Sequence, residues 1–308
     1  MSIENILIFG AGMMGKNIAF VFSSKADYRI VVYDIQHIDV HAGIRVNAAP
    51  LISKGILDVD KLERRLSRIS FTTDIEGEGI KNADLVIEAV FEDMALKQKT
   101  FEDLEKHCSR DAVFCTNSSV MSPSEISSKL KHRDRFAGVH FWNPAHLIPL
   151  VEVIKSDATS DKTADTLMEV LAGVGKKPVL CKKDIPGFIA NRMQHALWRE
   201  AVYIVEQGIA DAKTVDEAVK YSFGLRLPQL GPMENIDMVG LDLTYNIHHY
   251  IFKHLCSSTE PSPLLKKLLD NGKNGFKTGE GFQKWTDERQ RQSAAVLNEY
   301  LVTMLTRK

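Results

Sequence analysis

Ile6-Leu7-Ile8-Phe9-Gly10-Ala11-Gly12-Met13-Met14-Gly15 stands at the start of the chain, and Arg29-Ile30-Val31-Val32-Tyr33-Asp34 follows one apolar helix later. A short apolar run enters a G-x-G-x-x-G turn, and a second apolar run ends in an acid 19 residues after the last glycine. Each part suits a dinucleotide cradle. Gly10 turns the chain sharply off a strand, Gly12 presents no side chain to an approaching pyrophosphate, and Gly15 lets the following helix close on the sheet. The helix N-terminus, at Met13 and Met14, offers N–H groups and partial positive charge to the phosphates. Asp34 is placed to accept both hydroxyls of the adenosine ribose and to repel a 2′-phosphate, which selects NAD over NADP. A glycine-rich turn alone is weak evidence. The strand before it, the helix after it and the acid at the right distance specify the reading.

Outward from this stretch, short apolar runs at 6–9, 30–33, 85–88, 113–116, 136–140 and 151–154 read as strands, with helical patterns between several of them. That alternation predicts an α/β fold: an N-terminal Rossmann-type doubly wound sheet, mostly parallel, followed by an all-α C-terminal domain. Residues 41–68 interrupt the alternation as one or two charged helices broken at Lys54-Gly55, long enough to form an arm over a cleft. Ser122-Pro123-Ser124-Glu125 is a capping box that starts a helix just after Asn117-Ser118-Ser119. Ile185-Pro186-Gly187 reads as a hinge, so the division falls between residues 1–185 and 186–308. Beyond it a long helix covers 188–207, and further helical patterns cover 214–223, 241–255, 264–271 and 287–305. Trp198, Phe252 and Leu255 read as core or subunit interface rather than cofactor contacts.

The 308 residues suffice for two domains with separate cores. With 44% hydrophobic and 26% charged residues and a net charge of −1, nothing overall selects for nucleic acid or an anionic membrane. Cys108, Cys115, Cys181 and Cys256 form no C-x-x-C pair, which argues against a zinc site or a disulfide framework and suits a reducing cytoplasm. No metal site is expected. The N-terminus shows no signal-peptide pattern, and no apolar run is long enough to span a bilayer.

The chemistry gathers at Ser119, His140, Asn143 and Glu152. His140 closes one strand and Glu152 lies in the next. Taken singly, a strand-end histidine is usually structural, and a glutamate in a valine-rich strand usually faces solvent. Taken together, they suggest a pair, in which neighbouring strands would bring the carboxylate to one imidazole nitrogen and leave the other as a general base.

Several ordered blocks then point to one family. Val86-Ile87-Glu88-Ala89-Val90-Phe91-Glu92, Asn117-Ser118-Ser119, Gly138-Val139-His140-Phe141-Trp142-Asn143-Pro144, Leu150-Val151-Glu152-Val153-Ile154, Asp184-Ile185-Pro186-Gly187-Phe188-Ile189-Ala190-Asn191-Arg192 and Lys277-Thr278-Gly279-Glu280-Gly281-Phe282 follow the glycine turn in that order. The chain resembles the short-chain L-3-hydroxyacyl-CoA dehydrogenases over nearly its whole length. The resemblance implies His140 as the base in alcohol oxidation, Glu152 as its orienting partner, and Ser119 and Asn191 as hydrogen-bond partners of the substrate. It implies Glu92, Lys97, Asn117, Asn143 and Lys277 as further NAD contacts. Each also has a plain reading: Lys97 as a solvated face of a charged helix, Asn191 as a helix cap, Asn117 as a turn former. The resemblance further implies a homodimer, and a substrate that is a short acyl-CoA of fatty-acid β-oxidation, with Lys54 meeting a CoA phosphate. Asn47 stands where a serine is usual, and Trp142 replaces a commoner phenylalanine. Relatives that act on free hydroxy compounds, L-gulonate 3-dehydrogenase and carnitine 3-dehydrogenase, resemble the chain around Asn191–Leu197 and Phe223-Gly224-Leu225-Arg226, where Arg226 would grip a free carboxylate.

Overall fold

The computed structural model describes residues 3–306. They divide into two compact units, the first comprising residues 3–191 together with 297–306, the second residues 192–296.

The first unit is built on one eight-stranded sheet: β1 (Asn5–Phe9), β2 (Arg29–Tyr33), β3 (Ile69–Thr72), β4 (Leu85–Glu88), β5 (Val113–Thr116), β6 (Phe136–Phe141), β7 (Leu150–Lys155) and β8 (Lys177–Cys181). Their order is β3-β2-β1-β4-β5-β6-β7-β8. All pairs are parallel except β6 with β7, which run antiparallel with His140 directly opposite Glu152. Side chains alternate along the strands, and both faces are covered. Ile6 and Ile8 join a core with Ile18, Phe22 and Leu167, whereas Leu7 and Val86 join Phe101, Phe114 and Phe136 on the other face.

The helices of this unit are α1 (Met13–Phe22), α2 (Val40–Ser53), α3 (Val59–Leu66), α4 (Glu78–Lys81), α5 (Met94–His107), α6 (Pro123–Ile126) and α7 (Asp161–Gly173). Asp39, Asp58, Asp93, Ser122 and Ser160 cap α2, α3, α5, α6 and α7 by accepting a first-turn N–H. The charged segment 41–68 is therefore two helices, with the break after Ser53 as expected. α5 buries Lys97, Thr100, Phe101 and Leu104, one face at i, i+3, i+4 and i+7.

The edge strands β3 and β8 are additions to the sequence reading. The long helix expected over 188–207 is α8 (Ala190–Glu206), which starts after a turn at 186–189. The unit runs past the expected division at 185/186, because Phe188 is buried with Ile154 and Cys181, and the amides of Ile189 and Ala190 donate to Glu152. It also includes the end of the last helix, where Val302 is buried in the larger core.

The second unit holds most of α8, then α9 (Ala212–Lys220), α10 (Phe223–Arg226), α11 (Pro232–Val239), α12 (Leu241–Ile251), α13 (Pro263–Asp270) and the first half of α14 (Asp287–Thr306). Not one of residues 192–296 is buried in the single chain. Trp198 is 51% exposed and Phe252 59%, so they are not core residues of this chain. Among the described residues, no helix is long and apolar enough to cross a membrane, and no cluster of three or more His, Cys, Asp or Glu side chains could hold a metal ion.

Candidate active site

The strand order reverses between β1 and β4, and the crevice at that point, outside the carboxyl ends of the strands, is where open α/β sheets take ligands. The glycine turn leaves β1 there. Gly10 has φ of +111°, and a Cβ on Gly15 would lie 1.8 Å from the Gly10 carbonyl oxygen. A Cβ on Gly12 would meet nothing within 4 Å, so the space beyond it is open. Gly12 caps α1 without a side-chain hydrogen bond, which leaves the first-turn amides facing that space. Asp34 leaves β2 beside the turn; its Oδ2 accepts the Ala11 N–H at 2.8 Å and its Oδ1 the Gln36 N–H at 3.0 Å. Each oxygen keeps a second lone pair for a ribose hydroxyl. These residues fit NAD. Asp34→Ala removes both the acceptor and the tie to the loop, and should raise the KM for NAD by about tenfold or more, the scale of a charge-assisted hydrogen bond. An unchanged KM in steady-state assays would contradict that role.

Four strands along the sheet, the antiparallel register brings His140 Nδ1 to 3.0 Å from Glu152 Oε2. Both are buried, His140 at 4% exposure and Glu152 at 0%. The glutamate in its valine-rich strand thus faces the histidine, not solvent. Trp142 Nε1 donates to the same oxygen at 3.3 Å, and Oε1 accepts the Ile189 and Ala190 amides at 2.9 and 3.0 Å. Gly187 and Phe188, both at positive φ, make the turn that aims those amides. Burial pushes the Glu152 carboxyl up, but the donors, His140 foremost, together outweigh it and hold it below the ordinary carboxylate range. The rings of Trp142 and Phe188 lie 5.5 and 5.7 Å from the imidazole. The imidazole is thereby fixed through Nδ1, and Nε2 is the nitrogen that Glu152 does not engage.

The loop after β5 completes the group. Asn117 Oδ1 accepts the Phe141 N–H at 2.9 Å, extending the β5–β6 pairing to the residue after His140. Glu92 Oε1 accepts the Ser118 hydroxyl and, at 3.1 Å, the Ser119 N–H. Asn191 Nδ2 donates to the Ser119 carbonyl at 3.1 Å. Ser119 is exposed, and Asn191 is buried at the start of α8. A buried, carboxylate-fixed imidazole is an arrangement for moving a proton to or from a substrate oxygen.

Residues 5–185 match the model of the 3-hydroxyacyl-CoA dehydrogenase NAD-binding domain, and residues 187–285 that of the C-terminal domain of the same enzymes. The chain belongs to the 3-hydroxyacyl-CoA dehydrogenase family. It is an NAD-dependent oxidoreductase. The human mitochondrial hydroxyacyl-coenzyme A dehydrogenase is 34% identical over 294 residues, covering 92% of this chain and 91% of that one. A 5-formyl-3-hydroxy-2-methylpyridine 4-carboxylate 5-dehydrogenase from Mesorhizobium japonicum is 30% identical over 98% of this chain and 97% of its own. The crystal structure of an enzyme so named, described as an NAD+ dependent dismutase, superimposes with a TM-score of 0.90 over all of both chains at 29% identity. The (S)-3-hydroxybutyryl-CoA dehydrogenase from Ralstonia eutropha gives 0.77 over 93% of this chain and all of its own, also at 29% identity.

The remaining residues that the family resemblance singles out are placed as follows. Lys97 is 1% exposed, which overturns its reading as a solvated face; its ammonium lies 2.7 Å from Glu88 and 3.2 Å from Glu92. The signal was present in the sequence, since Lys97 stands four residues before Phe101 on the apolar stripe of α5. Asn143 is exposed just past β6. Asn47, on α2, donates to Asn17 Oδ1 at 2.6 Å. Lys54, at the end of α2, is exposed and paired with Glu299 at 2.7 Å. Lys277 and Arg226 are exposed residues of the second unit. Trp142 and the Ile189 and Ala190 amides as Glu152 donors, and Glu88 beneath Lys97, were not read from the sequence. No local pattern marks a backbone donor, but a tryptophan two residues from a strand-end histidine shares its face.

Proposed function

We propose that this chain interconverts a short L-3-hydroxyacyl-CoA and the 3-ketoacyl-CoA, a step of fatty-acid β-oxidation. The observation that carries the reaction is the buried His140–Glu152 hydrogen bond. In the oxidising direction His140 Nε2 takes the 3-hydroxyl proton, and in ketone reduction it returns one. Glu152 holds one imidazole tautomer and balances the imidazolium. The Ser119 hydroxyl and the Asn191 amide hold the substrate oxygens while charge develops on them. Bound NAD supplies the hydride acceptor. The names of the human and Ralstonia enzymes support an acyl-CoA substrate.

A second reading, a free carboxylate-bearing alcohol or aldehyde, is favoured by particular observations. The TM-score is higher for the pyridine carboxylate enzyme, 0.90 against 0.77. On the arm of α2 and α3, Lys54 is neutralised by Glu299, and Arg45 by a two-pronged pair with Glu63 at 3.0 and 2.8 Å. Neither cation is held ready for a phosphate, although exposed pairs of this kind are weak and open readily. Free coenzyme A separates the two readings. As an acyl-CoA enzyme the chain should be inhibited by it competitively against acetoacetyl-CoA. Turnover of free hydroxy acids with no inhibition by coenzyme A would favour the second reading.

The homodimer is part of the proposal. A unit of 105 residues with no buried side chain cannot stabilise itself, because its apolar surface is not removed from water. Tyr245, Met238, Leu243 and Phe252 are all more than half exposed on neighbouring helices. A second copy of the chain supplies the same apolar helices in matching amount, as a two-fold interface requires. Light scattering should give twice the 34.5 kDa chain mass. A monodisperse monomer would contradict the assignment.

A further inference from the structure

Asp184 stands in the turn between β8 and α8 and has no part in the proton-transfer scheme. Its Oδ2 accepts the Ser122 hydroxyl and, at 2.8 Å, the Ser124 N–H. Its Oδ1 is buried and has no hydrogen-bond partner among the described residues. A carboxylate oxygen buried in this way is a cost, and the Oδ2 contacts offset it. Ser122 is at the same time the N-cap of α6, accepting the Glu125 N–H at 3.2 Å. Pro123, the next residue, packs on the sheet: a Cβ on Gly138 would lie 2.9 Å from its Cγ. Gly138 precedes His140 by two residues, so the two share a face of β6, and their partners across the antiparallel pair are Ile154 and Glu152. Asp184 thus holds the start of α6 beside the strands that carry the histidine and its glutamate.

The turn is tied to the same loop at its other end, where the Asn191 amide donates to the Ser119 carbonyl at 3.1 Å. Between the two ties, Ile189 and Ala190 give their amides to Glu152 Oε1. We infer that Asp184 is a positioning residue for the reaction. Through Ser122 and Ser124 it fixes the near end of the 184–191 segment, and so keeps the Ile189 and Ala190 amides aimed at Glu152. The segment needs such support. Phe188 within it has φ of +51°, a left-handed conformation that costs a residue with a side chain about 1–2 kcal/mol. Burial of Phe188 against Ile154 and Cys181 holds the middle of the turn, and Asp184 and Asn191 hold its ends. The inference rests on the reading of His140 and Glu152 as the proton-transfer pair.

Asp184→Ala removes the acceptor, whereas Asp184→Asn keeps an oxygen for Ser122 and Ser124 and gives up only the charge. Thermal unfolding confirms that each variant is folded. In Asp184→Ala, hydrogen exchange of the Ile189 and Ala190 amides, read without any ligand, should quicken by about tenfold or more, as local opening becomes easier. The kcat, measured with whichever of acetoacetyl-CoA and acetoacetate the wild type reduces faster, should fall by about 10–10²-fold, while the NADH Kd stays within about threefold. Asp184→Asn should keep kcat within about threefold of the wild type, since the hydrogen bonds persist. Ser122→Ala removes half of the tie and carries the test should Asp184→Ala not fold; it should slow kcat by about three- to tenfold, the scale of one hydrogen bond. Unchanged exchange or unchanged kcat in Asp184→Ala, or in Ser122→Ala where that variant stands in, would overturn the inference. So would an Asp184→Asn as slow as Asp184→Ala, or a loss of NADH binding in step with kcat, which would make Asp184 a general support of the fold. His140→Ala is the control. Full activity in that variant would overturn the reading of the pair, whereas an impaired His140→Ala beside an unimpaired Asp184→Ala would overturn only the role of Asp184.

Discussion

His140→Ala should lower kcat by about 10²–10⁴-fold, the range for loss of a positioned general base. The imidazole meets Glu152 through Nδ1 and keeps Nε2 outside that hydrogen bond, and no other titratable side chain shares the bond to Glu152 among the described residues. NADH binding should survive, because Gly10, Gly15 and Asp34 are held by β1, β2 and their own loop contacts, with β4 and β5 between them and β6. Steady-state rates and a fluorescence titration with NADH read the two effects separately. A variant that turns over at more than a tenth of the normal rate would remove His140 from the reaction.

Glu152→Ala should damage both stability and rate. It leaves the Ile189 and Ala190 amides, the Trp142 indole and His140 Nδ1 without an acceptor in a buried place. Breaking a buried charged group in this way costs about 3–5 kcal/mol. The imidazole also loses its fixed tautomer, so kcat should fall by about 10²-fold or more. The pH dependence carries the sign of a depressed carboxyl. The contribution of Glu152 is complete above its ordinary value of 4.5 and is lost as pH falls through its lower folded value. The gap between the wild type and Glu152→Ala in urea unfolding should therefore be widest near neutrality and narrow in acid below that value. A gap that widens in acid would show that the carboxyl is not held down by its donors.

The cradle and the central strands were legible because their signals are local. A glycine turn between an apolar strand and a helix is defined by residues within a few positions of one another, and β4 and β5 are apolar runs buried on both faces. The edge strands were not. β3 alternates Ile69, Ser70, Phe71 and Thr72 in only four residues, and β8 carries Pro178, which an edge strand tolerates but which argues against a strand when read alone. The His140–Glu152 pairing needed a register that no single segment contains, yet strand ends in sequence order made it readable. Lys97 shows the opposite failure. Its charge outweighed its position on the stripe of Thr100, Phe101 and Leu104, and only the two carboxylates around it account for a buried ammonium there. The end of α14 was assigned to the second half by chain order, whereas Val302 packs in the first core. Sequence distance carries no information about such returns.

A ratio of specificity constants tests the acyl-CoA substrate directly. NADH consumption by the wild-type enzyme should be measured with acetoacetyl-CoA and with acetoacetate, which share the reacting ketone and differ only in the thioester-linked carrier. The account predicts that kcat/KM for the thioester exceeds that for the free acid by about 10²-fold or more, since interactions remote from the reacting carbon serve to orient it. A free acid turned over as well as or better than the thioester would contradict it.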